Sequence, residues 1–192
     1  MAKLDDKPRA TGLLALVPNA ITLTRGACGP VVMAVLLVLH DDIVAFSVFL
    51  LAIVTDLLDG WAARLLRAES RWALFLDPLS DKLLTGFTWA ALALVDHAPA
   101  WMAVAMIARD LIVGVGFWWG ARSTGAFPVA RPPGQIAVAF EGTALCVLLF
   151  HGPWIDVHWP TVGSLLGGVA LALSTADLLE YAWRRLLVPT TP

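Results

Sequence analysis

Six apolar blocks of about 20 residues fill most of this 192-residue chain, and about 20 apolar residues is what a helix needs to cross a bilayer core. They cover 20–39, 43–66, 72–95, 100–121, 135–150 and 162–182. In lipid a segment must pair its own backbone groups, so blocks of this kind form helices. Composition agrees: 59% of residues are hydrophobic and 15% are charged, where a soluble domain carries about a quarter. The expected fold is therefore all-α, a polytopic membrane protein of six transmembrane helices with a cytoplasm-facing polar site. One domain accounts for residues 1–192, with 1–19 as a short cytoplasmic N-terminal segment. No room is left for a separate soluble domain.

Basic residues fix the expected orientation. Lys3, Lys7 and Arg9 precede the first block, and Arg64, Arg67 and Arg71 lie between the second and third. Arg122 and Arg131 separate the fourth and fifth, and Arg184 and Arg185 follow the sixth. The opposite connections, 40–42, 96–99 and 151–160, contain no Lys or Arg. Both termini and the site are thereby expected on the cytoplasmic side of the plasma or inner membrane. Trp101, Trp154 and Trp159 fall at the other interface, where an aromatic belt belongs. The first apolar run is interrupted by Asn19, Thr22 and Arg25 and lacks a small-residue cleavage site, so it does not read as a cleaved signal. Cys28 and Cys146 fall inside blocks and suggest no disulfide. The Gly- and Pro-rich stretch 123–133 is the longest cytoplasmic connection and the candidate flexible element. Nothing in this pattern points to nucleic acid.

Chemistry concentrates in one short stretch. Asp56 and Asp59 are three apart, Asp77 and Asp81 four apart, so each pair shares a helix face. A short connection makes their helices antiparallel neighbours, so the four carboxylates can converge. Bare anions at a membrane boundary are costly, and acids there mark function by default. Divalent cations relieve the cost, because oxygen-only ligand sets suit Mg²⁺, Mn²⁺ or Ca²⁺. Two such ions about 4 Å apart clamp a pyrophosphate. Gly60 and Ala63 keep that helix face low, and Arg64 can neutralise a phosphate through paired donors. The competing expectation is plain ion pairing of the acids with Arg64, Arg67 and Lys82.

In full, the motif reads Asp56-x₂-Asp59-Gly60-x₂-Ala63-Arg64-x₈-Ala73-x₃-Asp77-x₃-Asp81. It resembles the signature of the CDP-alcohol phosphatidyltransferases, with Ala73 in place of a glycine as the one departure among eight fixed positions. Pro18-Asn19-x₂-Thr22-x₂-Arg25 with Pro30, Leu76-Asp77-Pro78-Leu79-x-Asp81-Lys82 and Arg109-Asp110 resemble the branch of phosphatidylglycerophosphate and cardiolipin synthases. The resemblance implies transfer of the phosphatidyl group of CDP-diacylglycerol to an alcohol, with CMP leaving. It implies Mg²⁺ or Mn²⁺, two ions, held by Asp56, Asp59, Asp77 and Asp81, with Asp81 also the general base. It further implies donor binding by Thr22, Arg25, Gly60, Ala63, Arg64 and Ala73, and a homodimer among membrane lipids. Gly114-x-Gly116 and Gly163-x₃-Gly167 permit close helix packing.

A carboxylate base also follows by elimination, since His40, His97, His151 and His158 all map to the non-cytoplasmic side. Thr22 and Arg25 have a blander alternative, a satisfied threonine and a snorkelling arginine. Arg109 is either an acceptor-pocket cation or an internal partner of Asp110. Glu141, Asp177 and Glu180 read as helix-end polar anchors, and the tryptophans as interface anchors.

The acceptor is harder to read. Phosphatidylglycerophosphate synthase-like chains carry Gly-Lys-x-Lys entering the fifth helix, whereas this chain has Gly134-Gln135-Ile136-Ala137. Glycerol 3-phosphate is placed first, leaning on Arg109, Arg122 or Arg131, with phosphatidylglycerol the alternative. A weakened nucleotide-lipid-binding relative and a divalent-cation transporter are the readings from other classes.

Overall fold

The computed structural model describes residues 13–66, 73–124, 132–150 and 158–187. Six α-helices follow one another: α1 (Leu13–Ala34), α2 (Asp42–Leu66), α3 (Ala73–Leu94), α4 (Ala100–Thr124), α5 (Pro132–Leu149) and α6 (Trp159–Leu187). Among the described residues there is no strand. Each apolar block forms one helix. The clearest departure is α1, which starts at Leu13 inside the segment expected to precede the first span. Leu13, Leu14, Ala15 and Leu16 are good helix formers and carry the helix back past Pro18. The connection expected at 123–133 shrinks as α4 runs to Thr124 and α5 begins at Pro132; its remainder, 125–131, lies outside the described residues.

At its far end α1 loosens into a π-helical turn, Val35–Leu39, and stops at His40, whose φ of 52° is left-handed. Asp41 then caps α2 by accepting the Val44 backbone N–H at 3.0 Å, the bond an N-cap aspartate makes. His97, in the α3–α4 connection, lies 3.8 Å from Asp42 across the same end of the bundle.

The core lies between helices that are apolar all round. Leu36, Phe49, Trp89, Leu92, Met106, Leu145 and Leu148 are fully buried in it. Outward faces are apolar too: Leu51, Leu111, Leu165 and Leu179 are each about two-thirds exposed. So much outward-facing apolar surface fits lipid better than water. Thr22–Leu39 and Trp159–Glu180 are, by length and composition, apolar enough to cross a membrane, and Gly134–Leu149 is a shorter apolar helix.

Two helix pairs dominate the packing, α1 with α3 and α5 with α6. Glycine makes the first one close. A Cβ added at Gly29 would lie 2.7 Å from the Leu83 carbonyl oxygen and 3.0 Å from the Leu84 Cα. Both are backbone atoms, so the helices themselves would have to part. Gly29→Ala is expected to destabilise by about 1–3 kcal/mol, the usual cost of overpacking. Gly168→Ala is the control, because a Cβ there meets nothing within 4 Å. Thermal unfolding of both variants in lipid nanodiscs checks this; equal midpoints would contradict it. Gly163 and Gly167 also serve the bundle, facing Leu148 and, respectively, Met102 with Trp89. They are consumed within one chain, because a methyl at either would strike those side chains.

Candidate active site

The tight α1–α3 contact carries Arg25 into the acids. Arg25 is only 6% exposed, so it is a buried cation and not a snorkelling one. Its Nη1 forms an ion pair with Asp56 of α2. Its Nε lies 3.0 Å from Asp81 and its Nη2 3.7 Å from Asp77, both on α3. Nη2 also donates to the Asp77 backbone carbonyl at 3.1 Å. One turn before Arg25, the Thr22 hydroxyl donates to the Asp77 carboxylate at 2.7 Å. Three of the four predicted acids, from two helices, thus surround one guanidinium supplied by a third.

The acids are about half exposed, 43% for Asp56 and 50% for Asp77 and Asp81, so one side of the cluster stays accessible. Among the described residues the carboxylates meet at Arg25, and no three acid, His or Cys side chains converge on a point of their own. An oxygen-only donor set gathered around a positive charge nonetheless has the chemistry a hard divalent ion requires. Asp59, Gly60, Ala63 and Arg64 lie in the last part of α2, and Ala73 opens α3. Their side chains, and Arg67, lie outside the described residues.

The ion pairing expected of Lys82 goes elsewhere. Lys82 donates to Asp110 of α4 at 2.8 Å. Arg109 Nη1 donates to the same Asp110 oxygen at 2.5 Å and lies 3.5 Å from Glu141 of α5. Arg109 Nη2 donates to Ser174 of α6 at 2.5 Å. The Trp89 indole N–H, from α3, donates to Glu141 at 3.1 Å. Of the two readings for Arg109, the internal pair with Asp110 is present.

Two expectations need correction here. Glu141 is no helix-end anchor: it sits midway along α5, 4% exposed, where an acid is tolerable only because Arg109 and Trp89 answer it. Trp89 is no interface anchor either, at 1% exposed. Trp101 and Trp183, 64% and 68% exposed, keep that role available. Asp177 packs against the first turn of α5, where a Cβ on Gly134 would lie 3.1 Å from its carboxylate; a negative charge suits a helix N-terminus.

Asp81 and Lys82 are consecutive in α3, so all six helices contribute to two adjoining polar clusters inside an apolar bundle. His40, His97 and His158 lie in or beside the connections at the opposite end, beyond reach of Asp56, which is 14 residues along α2 from Asp42 and about 20 Å away. The class this defines is a helical membrane protein built around an acid-rich polar site.

Comparison with known proteins gives the family. The family model for CDP-alcohol phosphatidyltransferase matches residues 15–176, and the chain belongs to that family. It is 33% identical over 180 residues to a "CDP-diacylglycerol--glycerol-3-phosphate 3-phosphatidyltransferase" of Bacillus subtilis strain 168, covering 86% of this chain and 92% of that one. A protein of the same name from Escherichia coli strain K12 is 31% identical over 175 residues, 86% of this chain and 92% of its own. Human "Cardiolipin synthase (CMP-forming)" is 38% identical over 99 residues, 50% of this chain and 32% of its own. The chain is thus a membrane phosphatidyltransferase, of a family generally dependent on divalent metal ions. Membership sets aside the transporter reading.

Proposed function

We propose that this enzyme transfers the phosphatidyl group of CDP-diacylglycerol to glycerol 3-phosphate, giving phosphatidylglycerophosphate and CMP. The observation that carries the acceptor is coverage. Similarity to the glycerol-3-phosphate enzymes runs over 92% of their length, and similarity to the human cardiolipin synthase over 32% of its length. Phosphatidylglycerol is the second reading, favoured by α5: Gln135 and Ala137 stand where lysines are expected, and Ala137 is fully buried.

The site works on the cytoplasmic face of a six-span bundle, since Lys and Arg flank the helix ends nearest the acids. Asp56, Asp59, Asp77 and Asp81 would hold the metal, two ions of Mg²⁺ or Mn²⁺, which would supply charge neutralisation at the donor pyrophosphate. Arg25 and Thr22, which stand against these carboxylates, bind the donor phosphates. Arg64 adds paired donors, while Gly60, Ala63 and Ala73 form the low surface under the nucleotide. Asp81 accepts the proton of the acceptor hydroxyl, whose oxygen attacks the phosphatidyl phosphorus in line. The phosphorus–oxygen bond to CMP breaks as the new ester bond forms. The enzyme acts as a homodimer. Among the described residues, a groove of about 390 Å³ between α3 and α4 is lined by Leu79, Leu83, Leu111 and Gly114, with Lys82 and Asp110 also on its wall.

CMP release from CDP-diacylglycerol against a panel of acceptors tests the reading. Fastest turnover with glycerol 3-phosphate supports it, and turnover with phosphatidylglycerol alone rejects it.

Ala73 adds a sharper expectation. It opens α3 one turn before Asp77, where a methyl would crowd a nucleotide bound against that turn. Overpacking of about 1–3 kcal/mol is roughly a five- to hundredfold loss of affinity, so Ala73→Gly is expected to tighten CDP-diacylglycerol binding. Unchanged or weaker donor affinity would mark the departure as neutral.

A further inference from the structure

Glu141 is the member of the second cluster that transfer itself does not use. Its carboxylate is buried, 3.5 Å from Arg109 and bonded to the Trp89 indole at 3.1 Å. Arg109 is already paired with Asp110 at 2.5 Å, and Asp110 with Lys82 at 2.8 Å. Two positive groups, Lys82 and Arg109, therefore face two negative ones, Asp110 and Glu141. Their formal charges sum to zero, although the cluster adjoins Asp81. Arg109 is also incompletely bonded, since its buried Nε has no hydrogen-bond partner among the described residues. Ala137 lies one turn before Glu141 on the same face of α5, so that face offers a methyl and an acid to the site.

We infer that Glu141 is a specificity-determining residue: by holding Arg109 in a neutral cluster, it weakens the site's attraction for a phosphorylated acceptor. A phosphate arriving beside Asp81 meets an arginine whose charge is already answered twice. To bind it, Arg109 must leave Glu141 and leave that carboxylate buried without its cation, a costly state. An uncharged hydroxyl acceptor meets no such penalty. The wild-type chain thus discriminates less between charged and uncharged acceptors than Arg109 and Lys82 alone would dictate. This rests on the reading that the acceptor hydroxyl reaches Asp81 from the Lys82 and Arg109 side. Glu141 acts through Arg109 and does not touch the reacting atoms.

Glu141→Gln removes the charge and keeps an amide oxygen for Trp89. Full-length wild-type and variant proteins in zwitterionic nanodiscs are titrated with glycerol 3-phosphate and with glycerol, without donor, by calorimetry. The variant is expected to bind glycerol 3-phosphate roughly tenfold tighter, the scale of one partly screened charge interaction, with glycerol binding unchanged. In turnover, KM for glycerol 3-phosphate falls by a similar factor while KM for CDP-diacylglycerol stays constant. Glu141→Asp, which retracts the carboxylate by one methylene, is expected to give a smaller tightening of the same sign and guards against failure of the glutamine variant to fold. Equal changes for both ligands, no change for either, or no detectable glycerol 3-phosphate binding in any form overturns the inference. If wild type releases no CMP with glycerol 3-phosphate yet the binding shift persists, the acceptor assignment fails and the role of Glu141 stands.

Discussion

Alanine at Asp56, Asp59 or Asp77 is expected to abolish CMP release, with a loss of at least about a thousandfold for each, the scale at which removing an electrostatic anchor of a transition state acts. The reason is collective. Asp56 and Asp77 approach the same guanidinium from different helices, so the cluster is a single charged unit and its members do not substitute for one another. A chelator should produce the same loss in the unmodified enzyme. Asp81→Asn is expected to differ: it keeps shape and most donor affinity but loses the proton acceptor, so kcat falls far more than donor affinity. Donor affinity and turnover are measured side by side for all four variants. Full activity in metal-free buffer, or an Asp81→Asn enzyme whose donor affinity falls while kcat is kept, contradicts the assigned roles.

The second large effect concerns Arg25. Arg25→Ala leaves Asp56, Asp77 and Asp81 facing one another without their cation. Removing one partner of a buried pair costs about 3–5 kcal/mol. These acids are half exposed, so solvent screening lowers the expectation to about 2–3 kcal/mol. Millimolar Mg²⁺ should restore much of that in the variant and less in wild type, because it supplies the charge Arg25 no longer does. Unfolding midpoints of both proteins, with Mg²⁺ and with chelator, give the comparison. A variant as stable as wild type in chelator would mean that the acids do not depend on Arg25.

The sequence made the helices and the acids legible because both signals are local. Apolar blocks separated by polar breaks yield one helix each, and four aspartates at three- and four-residue spacing declare their faces. Arg25 was visible as a candidate, but its convergence with Asp56 and Asp77 required the Gly29 contact that brings α1 onto α3. Glu141 was misread because its partners, Trp89 and Arg109, lie 52 and 32 residues away on other helices. An isolated acid in an all-apolar helix carries no periodic sign of what it faces. Trp89 was misread similarly: a tryptophan serves interface or core equally well until the helix's neighbours are known. Gly163 and Gly167 permit close helix packing without naming a partner, and the structure supplies Leu148, Met102 and Trp89 against them. Ser174 had no sequence signal at all, since a serine in a helix says nothing about the arginine it receives.

The most direct measurement is the mass of the lipid formed when the purified enzyme in nanodiscs meets CDP-diacylglycerol, deuterium-labelled glycerol 3-phosphate and Mg²⁺. The account predicts phosphatidylglycerophosphate carrying the label, formed in equal amount with CMP and absent when Mg²⁺ is chelated or Asp56 is replaced by alanine. Phosphatidic acid alone, an unlabelled product, or labelled lipid formed at full rate without divalent metal would contradict it.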